Sequence, residues 1–159
     1  MPKVAIDKNL VTVKSKSVKP YISSVGRRRE AVARVRLYPT AKAELNGVEV
    51  KKGEITVNGK AIQEYFRFKA FAPVYNKFLL EVGVSGKYAI TSKVAGGGLE
   101  GQLDALILGI ARALDKMDKD AFHGMLREKG YLTRDPRTRE RRKVGNAGKA
   151  RRKKSSPKR

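Results

Sequence analysis

The chain has no cysteine, no tryptophan and a single histidine, His123. The first absence removes disulfides, thiolate metal sites and a cysteine nucleophile together. The second leaves the bulk of any core to aromatics of the tyrosine and phenylalanine kind. One histidine rules out a metal site built on several imidazoles. No apolar run approaches the ~20 residues that a membrane-spanning helix needs. Met1–Pro20 carries scattered lysines and no continuous apolar block, so it does not read as a secretory signal. Acidic residues are also scarce, with 15 Asp and Glu against 37 Lys and Arg, a net charge of +22. Such a chain repels itself, and a polyanionic partner is expected, nucleic acid first. A cytoplasmic basic protein of one domain follows, since 159 residues can bury a real core.

The strongest positive signal runs from Gly96 to Met117. Three glycines, Gly96, Gly97 and Gly98, lead into Leu99, Leu103, Leu106, Ile107, Ile110, Leu114 and Met117. Spacings of three, four and seven put these on one stripe of a helix. Glu100 and Asp104 near its start, and Arg112 and Lys116 near its end, suit the helix dipole. Interleaved Gly101, Ala105, Gly109, Ala111 and Ala113 allow another element close to its backbone. A central helix packed on a sheet is expected.

Residues 1–20 show no firm period and read as a flexible N-terminal extension, with a globular body over 21–133. Ala31, Ala33, Val35 and Leu37 alternate with Val32, Arg34, Arg36 and Tyr38, which is strand period. Arg28, Arg34 and Arg36 share the outward side if that strand is regular, and Arg27, Arg28 and Arg29 precede it. Asn46-Gly47 and Asn58-Gly59 each sit between β-branched runs, the strongest short hairpin signal. Ala61–Phe71 reads as a short helix stopped by Pro73. Phe78, Leu80, Val82 and Val84 read as an alternating strand, turned at Ser85-Gly86 and returned through Tyr88, Ile90, Ser92 and Val94. Asp118 caps a last helix through Phe122, Met125 and Leu126, ended by Gly130. The fold class is α+β, a sheet with helices on one face.

Composition breaks after Thr133. Arg134–Arg159 holds 13 Lys and Arg and 2 acids, +11 in 26 residues. With no Leu, Ile, Phe, Tyr or Trp it cannot offset its own ordering entropy. We read 134–159 as a long disordered basic tail that folds onto a nucleic acid.

The glycine turn invites an enzymatic reading, because helix-start N–H groups can cradle phosphate. Gly96 and Gly101 have the spacing of a nucleotide-binding P-loop. Gln102 and Leu103 stand where that loop needs Lys and Ser or Thr, which disfavours a phosphotransferase. His123, Asp118 and Asp120 read as solvated or capping residues. No metal, cofactor or small-molecule substrate is expected.

Several blocks together resemble a known family. Gly26-Arg27-Arg28-Arg29-Glu30-Ala31-Val32-Ala33-Arg34-Val35 resembles the opening of the universal small-subunit ribosomal protein S-nine, bacterial type. Asn58-Gly59-Lys60 with Tyr65-Phe66, and Gly96-Gly97-Gly98 through Gly101-Gln102, Ala105 and Gly109–Leu114, resemble its later blocks. Leu132–Arg137, Glu140–Lys143, Lys149–Arg152 and Lys158-Arg159 resemble its tail. The sequence departs from that pattern in residues 1–20, in an enlarged hairpin over Thr40–Gly53, in Ile107 where Arg is common, and in Ser155-Ser156-Pro157.

The resemblance implies a β-α-β core like the second domain of the small-subunit protein S-five, a fold shared with some small-molecule kinases. It implies a structural, non-enzymatic constituent of the small-subunit head, in the cytoplasm or in an organellar ribosome. Ribosomal RNA would be bound by Arg27, Arg28, Arg29, Arg34, Arg36, Gly96, Gly97, Gly98 and Gln102 in the body. In the tail the corresponding residues are Arg134, Arg137, Arg139, Arg141, Arg142, Lys143, Lys149, Arg151, Arg152, Lys153 and Lys154. Lys158 and Arg159 would approach the anticodon stem-loop of the peptidyl-site tRNA. Neighbouring head proteins are implied partners. A free nucleic-acid-compacting protein is the alternative that charge alone leaves open.

Overall fold

The computed structural model describes residues 21–39, 43–45 and 48–151. The expected N-terminal extension, Asn46-Gly47, and Arg152, Lys153, Lys154, Lys158 and Arg159 lie outside the described residues. Strands β1 (Ile22–Arg28) and β2 (Ala31–Tyr38) pair antiparallel, joined by the two-residue turn Arg29-Glu30. The alternation alone predicts one strand here, because the turn carries neither Asn nor Gly. Arg29 instead takes φ 51° itself, the positive sign that primed hairpin turns require.

Strands β3 (Ala43–Leu45) and β4 (Val48–Val50) form a separate hairpin. Strands β5 (Ile55–Val57) and β6 (Lys60–Ala61) flank Asn58-Gly59, whose φ values of 51° and 83° fit the expected tight turn. Helices α1 (Ile62–Tyr65) and α2 (Phe71–Glu81) lead to strand β7 (Ala89–Ala95). Helices α3 (Leu99–Met117) and α4 (Lys119–Glu128) complete the body.

The main sheet has the order β1-β2-β7-β5-β6. Strands β5 and β7 run parallel, so the chain between them, with α1 and α2, is a β-α-β crossover. The rest of the pairing is antiparallel, which makes the sheet mixed. Ala31, Ala33, Val35 and Leu37 of β2 enter one core with Phe78 of α2, Leu106 and Leu114 of α3 and Leu126 of α4. The α+β architecture with helices packed on the sheet is as expected.

Two local expectations fail. Phe78–Val84 is not a strand, since Phe78 belongs to α2, which runs on to Glu81. Phe71, Tyr75, Phe78 and Val82 recur at helical spacing and pack inward, while Leu80 is exposed. Pro73 does not stop a helix but sits in the first turn of α2, where its missing N–H would have no intrahelical partner. The helix expected over Ala61–Phe71 is limited to the four residues of α1.

Helix α3 is the expected central helix, laid across β1 and β2 at close range. Ser24 Oγ donates to the carbonyl of Gly109 at 2.6 Å. Arg112 Nη1 and Lys116 Nζ donate to the carbonyls of Val25 (2.9 Å) and Ser23 (3.1 Å). Among the described residues β1 is an edge strand, and these two cations occupy carbonyls that could otherwise pair with another strand. Asp118 caps α4 as expected, accepting from Ala121 N at 3.1 Å.

Candidate nucleic-acid interface

The side of the sheet away from α3 carries the odd-phase residues of β1 and β7 and the even-phase residues of β2. The register sets Arg27 opposite Val32, Val25 opposite Arg34 and Ser23 opposite Arg36. Across the next ladder, Arg34 faces Lys93 and Arg36 faces Thr91. Arg27, Arg34, Arg36 and Lys93 therefore lie on one face. Directly opposed like charges destabilise a strand pair, so the Arg34–Lys93 pair is a cost that folding alone does not explain.

None of these four cations makes an ion pair among the described residues. Arg36 stacks over the Tyr21 ring, 4.8 Å from its centroid, and Tyr21 packs on Tyr38 at 5.6 Å. Aromatic cover thus holds Arg36 at one end of the face. Arg27, Arg34 and Lys93 are exposed at the other, beside Val32, Ala95 and Gly96. Lys93 is not among the residues the sequence reading singles out. Its signal was available, because it is out of phase with Ile90, Ser92 and Val94 in the alternation of β7.

Arg28 does not share this face. One residue after Arg27 it points to the helix side, where its Nε lies 3.3 Å from Asp104 Oδ2 and its Nη1 2.8 Å from Asp135 Oδ2. The second contact is an ion pair whose angle is poor for a directed hydrogen bond. Its side chain is only 14% exposed. The expected grouping of Arg28 with Arg34 and Arg36 assumed an unbroken strand, and the hairpin at Arg29-Glu30 breaks that phase. Arg29 is exposed at the hairpin tip.

The glycine turn is built for close packing. Gly96 and Gly97 have φ of 76° and 62°, a backbone that side chains rarely adopt. A Cβ on Gly96 would stand 2.4 Å from the carbonyl oxygen of Glu30. Gly98 is extended and faces open space. Gln102 turns back rather than outward: its Nε2 donates to Gly96 O at 3.0 Å and its Oε1 accepts from Tyr65 Oη at 2.9 Å. Asn58 closes the other side of this network. Its Oδ1 accepts from Val94 N at 2.8 Å, and its Nδ2 donates to Val94 O at 2.9 Å. The Asn58-Gly59 turn thus also clamps the neighbouring strand.

Tyr131 stacks edge-on against Phe78 at 4.8 Å and donates to Glu81 Oε2 at 2.7 Å. It fixes the point where the basic segment begins. Burial, aided by the Glu81 carboxylate, pushes the Tyr131 hydroxyl up to about 12. The same hydrogen bond, with Lys129 beside it, holds Glu81 below the usual carboxylate range. Arg134, Arg137, Arg139, Arg141, Arg142, Lys143 and Lys149 are all exposed.

The segment after Thr133 has no helix or strand among its described residues, but it is not featureless. Lys143 N donates to Lys149 O (3.2 Å) and Lys149 N to Asn146 O (2.9 Å). Arg151 grips Glu140 with two guanidinium nitrogens, its Nε 2.9 Å from Oε2. That contact holds the Glu140 carboxyl below its ordinary range. Residues 140–151 therefore form a closed loop with cations on its outside.

No group of three or more histidines and carboxylates is placed to hold a metal ion among the described residues. No helix there is long and apolar enough to cross a membrane. Fold and site together define a class, an α+β body that carries a cationic sheet face and a cationic appendage. Residues 26–159 match the model of the family described as ribosomal protein S9/S16, and the chain belongs to that family.

Three bacterial proteins named small ribosomal subunit protein uS9 are similar to it. The one from Cutibacterium acnes is 38% identical over 77% of this chain and 65% of its own length. The Leifsonia xyli protein is 40% identical over 77% and 67%. The Bifidobacterium animalis protein is 42% identical over 76% and 67%. The chain therefore spans about two thirds of the length of these relatives.

Proposed function

We propose that this chain is a structural constituent of the head of the small ribosomal subunit, binding ribosomal RNA through the sheet face and the basic segment. The observation that carries the reading is the exposed trio Arg27, Arg34 and Lys93, which has no carboxylate partner among the described residues. Phosphates would supply the missing charge, and folded RNA presents them with a shape that a rigid sheet can match. The relatives' names, small ribosomal subunit protein, support the same assignment.

The resemblance to the second domain of the S-five protein belongs to this reading, as do head proteins as neighbours and the cytoplasmic ribosome as location. Arg29, Arg134, Arg139, Arg141, Arg142, Lys143 and Lys149 would follow phosphates, with Arg152, Lys153 and Lys154 beyond them. Gly96 and Gly97 would act through backbone shape. Lys158 and Arg159 would meet the anticodon stem-loop of peptidyl-site tRNA. No catalytic role is assigned.

The test is chemical footprinting of small-subunit ribosomal RNA with and without the purified protein. A discrete set of protected nucleotides, lost in the Arg27→Gln/Arg34→Gln/Lys93→Gln triple variant, is expected. Uniform protection that scales with RNA length would instead mark a nucleic-acid-compacting protein.

A further inference from the structure

Asp135 is one of only two acids among the 26 residues from Arg134 to Arg159. In a segment that meets a polyanion, a carboxylate there opposes binding on charge alone. Its surroundings show a different use. One oxygen, Oδ2, lies 2.8 Å from Arg28 Nη1 of the body and 2.6 Å from Arg137 Nη2 of the basic segment. Oδ1 also accepts the backbone N–H of Arg137 at 2.9 Å. The same Arg28 guanidinium reaches Asp104 of α3, so the body side of the contact is held from two directions.

The chain around Asp135 is stiff as well. Pro136 fixes its own φ and confines the preceding residue to extended backbone. After this point Thr138 and Arg139 lie beside Arg28, Arg29, Gly97 and Glu100, in one cleft over the glycine turn. Arg28 and Arg137, both held against one carboxylate oxygen, would repel each other at such range without it, whereas Glu30 and Glu100 line the cleft beside Arg139.

We propose that Asp135 is a positioning residue, a single carboxylate shared by Arg28 and Arg137 that sets the direction in which the basic segment leaves the body. With Asp135 in place, the segment starts over the glycine turn beside the cationic hairpin. Arg139 and the loop 140–151 are then presented in a restricted orientation. Without it, Arg28 and Arg137 repel and the segment swings free. The consequence for RNA affinity rests on the function proposed above; the latch itself does not.

The absence of cysteine from the chain allows a clean distance measurement. Spin labels at Lys87→Cys in the body and Arg141→Cys in the basic segment report the orientation of the full-length protein without RNA. A narrow distance distribution is expected, broadened at least about twofold by Asp135→Asn. Arg137→Gln should broaden it similarly. Arg137 is 76% exposed and, among the described residues, its side chain bonds only to Asp135, so that variant leaves the body's packing intact. Equal widths in the parent and Arg137→Gln proteins would overturn the latch.

A second readout uses an unlabelled protein and a transcript of the head region of small-subunit ribosomal RNA. Loss of one negative charge alone would tighten binding. A lost latch weakens it, by about three- to tenfold, because the segment must then be ordered on binding. Tighter binding by Asp135→Asn overturns the contribution of that positioning to RNA affinity. Broadened distances with no RNA binding by any form would retain the latch and reject the ribosomal reading of the surface.

Discussion

Gly26 of β1 and Gly109 of α3 meet backbone to backbone where the central helix crosses the sheet. A Cβ on Gly26 would lie 2.5 Å from Gly109 N and 1.9 Å from Ala105 O; one on Gly109 would lie 2.6 Å from Val35 Cγ2. Backbone atoms cannot swing aside, so helix and sheet would have to separate. Gly26→Ala should cost about 3 kcal/mol, the upper end for overpacking, and lower the Tm by roughly 10–20 °C. Gly124 in α4 faces open space, and Gly124→Ala should stabilise by up to about 1 kcal/mol through helix propensity. Thermal unfolding followed by circular dichroism compares the two.

The division of arginines between the two sides of the sheet predicts two kinds of variant. Replacing Arg27, Arg34 and Lys93 by Gln should weaken ribosomal RNA binding and flatten its salt dependence, lowering the log–log slope by roughly 2–3. Stability should hold or rise, because Arg34 and Lys93 repel across the ladder. Arg28→Gln should leave more of the salt slope but destabilise the body by about 1–3 kcal/mol, since it strips Asp104 and Asp135 of a charged partner. Titrations at several salt concentrations, with denaturant melts of the same proteins, separate the outcomes. A slope unchanged by the triple variant would remove the sheet face from the binding surface.

Alkaline pH should loosen the junction between body and basic segment. The fold favours neutral Tyr131, whose pKa rises from an ordinary 10.0 to about 12. Its contribution is therefore complete below about pH 10 and is lost as pH rises through 12. At the acid end the depressed Glu81 behaves oppositely, its share present at neutral pH and lost as the carboxyl protonates. Denaturant unfolding between pH 8 and 12 should show a decline that Tyr131→Phe reduces. Absorbance at 295 nm should show a late-titrating component that is lost in the same variant.

What could be read in the sequence follows from how many levels agreed at each place. In α3 the apolar stripe, the glycine turn and the end charges all indicated one helix, and it spans Leu99–Met117. In α2 two periods competed. Phe78, Leu80, Val82 and Val84 alternate, but Phe71, Tyr75, Phe78 and Val82 make the inward stripe, and only tertiary burial decides between them. The β1–β2 turn was hidden because Arg29 adopts a conformation usually left to Gly or Asn. That hidden turn reversed the side assigned to Arg28, so the cationic face was legible as a composition and not as a set. Arg27 and Arg34 share that face with Lys93, which the sequence reading does not single out, and Gln102 is bonded within the body. The shared carboxylate of Asp135 could not have been read at all, since it joins residues 107 positions apart.

The last prediction concerns Lys158 and Arg159. A fully extended segment from Arg134 would span roughly 85–95 Å at ~3.3–3.6 Å per residue. The Glu140–Arg151 pin closes 140–151 into a loop and removes those twelve of the 26 residues from the reach. From Arg151, the eight residues 152–159 can extend only about 26–29 Å. Where the loop sits on RNA therefore determines where Lys158 and Arg159 can act. Glu140→Gln should release the loop, lengthening the reach while making its direction less defined. On the proposed reading, Arg159 offers a planar donor fork and Lys158 a point charge to phosphate oxygens of the peptidyl-site tRNA. Such contacts carry little base information, so different tRNAs should be affected alike. Removing Lys158 and Arg159 should leave subunit assembly intact and speed tRNA dissociation from that site. Glu140→Gln should speed it to a smaller extent, because both cations remain and only their placement is loosened. The measurement is the tRNA off-rate from purified subunits carrying each protein, at matched magnesium and salt. Off-rates equal to the parent in the truncated protein would take Lys158 and Arg159 out of the tRNA site.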